Sequence, residues 1–278
     1  MRTSSNPAFR NLPTGQGGYA GFDRMGGAAG GAAAYRQTSA PAGLGDAPTG
    51  LGHAPTGERA LTIDDVVTKT AITAGAALVA GVLTALAGPA FAWLVLPAFL
   101  VGLVISLVVI FKQSSNPALI LTYSVAEGIA LGGITGMIES ASPKYAGIGA
   151  QAVIGTVGVF IGMLVVYKTG AVKVTPKFTK WLMGAMVGVV VLMLANFVGG
   201  LFGADLGLRN GGPMAIIFSL VVIGVASFSL LLDFDQADRA IRAGVPATYA
   251  WYIAFGLMVT LVWLYLEILR LLSYLRGD

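Results

Sequence analysis

Glu127, Asp233, Asp235 and Glu267 are acidic side chains inside or near the edge of long apolar stretches of this chain. Glu127 lies in Tyr123-Ser124-Val125-Ala126-Glu127-Gly128. Asp233 and Asp235 lie in Leu232-Asp233-Phe234-Asp235-Gln236, and Glu267 in Leu264-Tyr265-Leu266-Glu267-Ile268-Leu269-Arg270. A charge in hydrocarbon is costly, so each acid marks a functional position or a place where a partner neutralises it. Hard carboxylate oxygens suit protons or Ca²⁺, and nothing in the chain suits softer metals. Two carboxyls brought together in low dielectric share a proton and titrate as a pair. Such a pair is a pH-sensitive latch, because ionisation drives it apart or draws a cation between its members.

Each acid also has a plainer reading. Glu267 and Arg270 are three residues apart on one helical face, where they can neutralise one another. Asp235 and Asp238 fit a solvated interfacial turn with Arg239 and Arg242, and Asp233 fits an ordinary acid at a helix end. Glu127 fits a protonated, hydrogen-bonded link between helices. Other chemistries are closed off. The chain has no cysteine, and its one histidine, His53, sits in the polar N-terminal segment. Disulfides, thiol catalysis and an imidazole metal cage within the apolar blocks are therefore excluded. Serine chemistry lacks an intramembrane base, and no GxGD-type setting for a catalytic aspartate pair is present. No enzyme and no bound cofactor are expected.

The elements that must position these acids are helices in a bilayer. Of 278 residues, 56% are hydrophobic and only 11% charged, too little charge to cover a soluble domain of this length. The mean hydropathy is +0.80. Seven apolar blocks are visible, at 66–87, 91–111, 118–138, 148–167, 181–201, 213–232 and 247–274. Each approaches the ~20 residues that span hydrocarbon as a helix, and backbone groups in lipid must be satisfied within the segment. A closed barrel would show short alternating strands, which these blocks do not. Gly128, Gly132 and Gly136 form one stripe of the third block, the small-residue spacing by which membrane helices approach closely.

Residues 1–60 differ in kind. They are rich in Gly, Ala, Pro, Ser and Thr, with Ala-Pro-Thr-Gly at 47–50 and again at 54–57. Such a segment buries too little apolar surface to offset its ordering entropy, so a disordered tail is expected before a membrane domain at 61–278. Thr62 or Asp64 is placed to cap the first helix. The net charge of +4 is no nucleic-acid signal, because the basic residues lie between the apolar blocks, where they set topology. With the N-terminus inside, one face collects Arg59, Lys69, Lys112, Lys168, Lys173, Lys177, Lys180, Arg239 and Arg242. The other has Lys144, Arg209 and Arg276. The positive-inside rule then puts the tail in the cytoplasm and the C-terminus outside.

Tyr123–Gly132, Leu232–Gln236 and Leu264–Leu272 carry a resemblance to the Bax inhibitor-1/YccA family, in its actinobacterial form. The resemblance spans residues 62–278 and implies a bacterial plasma-membrane protein with six helices around a central seventh. It further implies a pH-sensitive Ca²⁺ leak, with Asp233 and Glu267 in the positions of the family's paired aspartates, where they could hold Ca²⁺ transiently. Glu267 departs from the family's Asp. Lys112 is the only candidate for the family's basic latch partner, and Glu127, Asp235 and Arg270 are the supporting polar residues. Family members resembling YccA suggest an alternative, a non-enzymatic modulator of a membrane protease or quality-control complex. The spacing argues against direct pairing. With a plain hairpin turning near Gly244, Asp233 lies about 11 residues before the turn and Glu267 about 23 after, roughly 18 Å apart in height at ~1.5 Å per residue.

Overall fold

The computed structural model describes residues 58–203 and 206–277. The expected disordered tail lies outside these residues except for its last three. Of these, Arg59 accepts at its carbonyl from Ala247 N–H at 2.9 Å, and the following Leu61 N–H donates to the Val245 carbonyl at 2.8 Å.

Seven α-helices follow in order: α1 (Ile63–Ala87), α2 (Val95–Lys112), α3 (Pro117–Ala141), α4 (Ile148–Thr169), α5 (Pro176–Leu201), α6 (Pro213–Arg242) and α7 (Ala250–Leu275). Their starts are written locally. Thr62 caps α1 in a capping box with Asp65, Asn116 caps α3 ahead of Pro117, and Thr175 caps α5 ahead of Pro176. Proline at a first helical position loses no hydrogen bond, because that N–H has no partner within the helix.

Among the described residues, the apolar stretches long enough to cross a membrane number six, because the first runs unbroken in helical backbone over Ile63–Lys112. Gly88-Pro89 lies in the gap between the first two apolar blocks and reads as a break. Instead these residues open a 3₁₀ segment, Gly88–Leu94, in which proline is accepted near the start. Straight, 50 residues would reach ~75 Å, more than twice the ~30 Å of hydrocarbon. The stretch folds back. Ala77, Gly81 and Ala85 of α1 face Gly128, Gly132 and Gly136 of α3, so those two helices run in the same direction. On α2, Gly102 faces Glu127 and Val95 faces Gly133, so α2 runs against α3.

The glycine stripe has the packing role expected of it. A Cβ on Gly128 would strike the Ala77 backbone, and one on Gly132 the Gly81 backbone. α7 packs against α1, α3, α4 and α6, whereas α2 lies mainly on α3 and α5 mainly on α6. The interior position expected for α7 alone is thus shared with α3, whose glycines let α1 approach closely. The connections segregate by end. At one end, 59–61 pair with 245–247 and Tyr167 reaches Asp238. At the other, Arg276 donates to the Lys144 and Ala146 carbonyls and Tyr274 to that of Arg209.

Candidate functional site

α6 does not stop at Leu232. It continues to Arg242, so Asp233, Asp235 and Asp238 all stand on regular helix and not in a turn. The continuation is supported by two ion pairs at i,i+4, Asp235 with Arg239 and Asp238 with Arg242, each 2.5 Å. These pairs occupy two of the three aspartates and leave Asp233 on another side of the helix.

Asp233 is half-buried, and the Thr260 hydroxyl of α7 donates to its Oδ2 at 2.7 Å. The carboxylate lies in a cleft of about 260 Å³ bounded by Gln236 of α6, Tyr252 and Gly256 of α7 and Ile110 near the end of α2. Lys112 is the last residue of α2, two beyond Ile110, but it is exposed and takes part in no ion pair among the described residues. The basic latch partner expected there is not formed.

Glu267 is 2% exposed and bound to Arg270 Nη1 at 2.5 Å. Its second oxygen, Oε2, is buried with no hydrogen-bond partner. Arg209, in the α5–α6 connection, is close enough to feel both charges. Burial first and Arg270 second push its guanidinium below the usual arginine range, against the pull of Glu267. Glu267 therefore belongs to a cationic cluster nearer the C-terminal end of α7 than the Asp233 cleft.

Asp233 and Glu267 are not brought together. The partner that α7 offers Asp233 is Thr260, and Glu267 lies seven residues further along, roughly 10 Å of helical rise. The separation is smaller than the plain hairpin implies because residues 243–249 are spent on the connection before α7 begins at Ala250. The helices pair from Arg242 and Ala250 outward, not from Gly244.

Glu127 is 8% exposed on α3 and presses against α2. A Cβ on Gly102 would come within 2.7 Å of its Oε1, so that glycine makes the space the carboxyl occupies. No hydrogen bond to Glu127 is formed among the described residues; its contact with α2 is one of packing.

Several residues were not singled out by sequence reasoning. Thr260 is one, because it is one of several hydroxyl-bearing residues in the seventh block and nothing local sets it apart. Glu139, one residue beyond the expected end of the third block, accepts from Gly149 N–H at 3.0 Å and so caps α4 from a neighbouring helix. Thr135 and Tyr265 share a 2.7 Å hydrogen bond. No group of three or more His, Cys, Asp or Glu that could hold a metal occurs among the described residues. What the arrangement offers chemically is a single hydroxyl-supported carboxylate in a small, mostly apolar cleft, able to take a proton or attract a hard cation.

A family model described as Bax inhibitor 1 like matches residues 6–277, nearly the whole chain. The protein belongs to that family, and its apolar helices make it a multi-pass membrane protein. No curated protein matches the chain.

Proposed function

We propose that the protein is a non-catalytic, pH-sensitive leak pathway for Ca²⁺ or a similar hard cation, with Asp233 as its titrating gate. The observation that carries this reading is the placement of Asp233: a carboxylate on a helix of the membrane domain, held by Thr260, at a cleft where α2, α6 and α7 meet. Ionised, it attracts a cation into the cleft. Protonated, it removes that attraction, and flux falls as pH is lowered. Glu267 is already neutralised by Arg270 and serves as a fixed charge pair in this conformation.

The same reading takes α1 and α2 as two separate crossings, seven in all, with the N-terminus in the cytoplasm and the C-terminus outside a bacterial plasma membrane. The opposite directions of α1 and α2 along α3 support it. So does the meeting of the 59–61 segment with 245–247 at one end and of Arg276 with Lys144 at the other.

The test is Ca²⁺ flux into proteoliposomes as external pH is varied. The parent is expected to conduct more as pH rises, and Asp233→Asn to lose that dependence. Flux that is absent, or pH-independent in the parent, contradicts the reading.

A further inference from the structure

α1 and α4 both pack on α7 but stand apart from one another, and the space between them is a groove of about 1000 Å³. Its walls are apolar, with Gly75 and Leu78 on α1 facing Val153 and Val157 on α4. Leu131 of α3 and Leu261 of α7 form the floor. Lining residues on α1 run from 63 to 86, roughly 35 Å of helix at ~1.5 Å per residue, so the groove is as deep as the ~30 Å hydrocarbon layer.

Charge is present at the two rims and is unevenly committed. Glu139, at one rim, is occupied in capping Gly149 N–H. At the other, Asp238 is tied to Arg242 and receives a hydrogen bond from Tyr167. Lys168 shares that rim, is exposed, and takes part in no ion pair among the described residues. The neighbouring arginines, Arg239 and Arg242, are each held by an aspartate of their own helix. Among the described residues lining the groove, Lys168 is the one cation, and it forms no ion pair above the long apolar slot.

We propose that this groove is a binding site for a diacyl phospholipid with an anionic headgroup, its chains lying between α1 and α4 and its phosphate at Lys168. Lys168 above apolar walls of bilayer depth matches the charge and length of an acidic headgroup with its acyl chains. The chains replace the missing α1–α4 contact, so the bound lipid is part of the packed domain.

The groove can be closed without disturbing the bundle. A Cβ on Gly75 meets nothing within 4 Å, so Gly75→Leu projects into the slot, and leucine favours helix over glycine. The full-length protein is carried through delipidation, offered phosphatidylglycerol or phosphatidylcholine, and examined by native mass spectrometry. The parent is expected to retain phosphatidylglycerol in preference, and Gly75→Leu to lose that retention with unchanged helix content. Lys168→Gln is expected to lower the preference about fivefold, the contribution of one basic residue near an anionic surface. Val157→Trp, from the opposite wall, serves as the second plug should Gly75→Leu fold poorly, with the same expected loss. Retention undiminished by the plugs overturns the proposal. So does equal retention of the two lipids by the parent, or a second protein copy displaced by the plugs in place of lipid.

Discussion

The Thr260 hydroxyl donates across 2.7 Å to Asp233 Oδ2, joining α7 to α6 at the edge of a cleft that also reaches the end of α2. A hydrogen bond to an ionised group is among the stronger ones available to a side chain, and here it fixes the register of two neighbouring helices. It also means that the α7 group bound to Asp233 is an uncharged hydroxyl, with Glu267 further along the same helix.

That register is directly measurable, because the chain contains no cysteine to interfere. Asp233→Cys combined with Thr260→Cys is expected to form a disulfide readily under mild oxidation. Asp233→Cys combined with Glu267→Cys is not, since the ~10 Å of helical rise between positions 260 and 267 exceeds the ~7 Å Cα separation a disulfide tolerates. Efficient cross-linking of the second pair would show that Asp233 and Glu267 do meet.

The Glu267–Arg270 pair predicts an asymmetric stability cycle. Arg270→Met leaves a buried carboxylate with both oxygens unpaired and is expected to destabilise the protein by about 3–5 kcal/mol. Glu267→Gln combined with Arg270→Met removes the stranded charge and is expected to recover a large part of that loss. Denaturation of the detergent-solubilised protein reads the difference, and additive losses in the double variant would contradict a coupled pair.

Helix packing gives a third contrast. Gly132→Leu drives a side chain into the backbone of Gly81, which cannot move aside as a flexible side chain would. Overpacking of this kind typically costs about 1–3 kcal/mol and occasionally more, and a loss of folded yield is expected. Gly184→Leu on α5, where a Cβ meets nothing within 4 Å, is expected to leave yield unchanged. Equal tolerance at the two positions would dispute the α1–α3 contact.

These residues also show what hydropathy and spacing encode and what they do not. The apolar blocks, the Thr62 cap, the close-packing face of α3 and the i,i+3 pairing of Glu267 with Arg270 are local properties, and each was legible. The continuation of α6 past Asp233 was not, because aspartates and arginines read as an interfacial turn unless their i,i+4 pairing is weighed as helix support. Gly88-Pro89 reads as a break, yet a 3₁₀ segment accommodates both residues and keeps the backbone helical through the reversal. Interhelical register was the least legible feature. It depends on how many residues the α6–α7 connection consumes, and the offset from Gly244 to Ala250 is what sets Thr260, and not a residue nearer the turn, against Asp233. Glu139 capping α4 from α3 is likewise a meeting of distant segments with no local signature.

The central claim is that Asp233 titrates alone, without Glu267 as its partner. Ca²⁺ flux into proteoliposomes, followed from about pH 6 to about pH 8 for Asp233→Asn, Glu267→Gln and the double variant beside the parent, tests it most directly. The account predicts that Asp233→Asn flattens the pH profile, that Glu267→Gln keeps the rise in flux with pH, and that the double variant behaves as Asp233→Asn. A profile flattened equally by either single substitution, or left unchanged by Asp233→Asn, would contradict it.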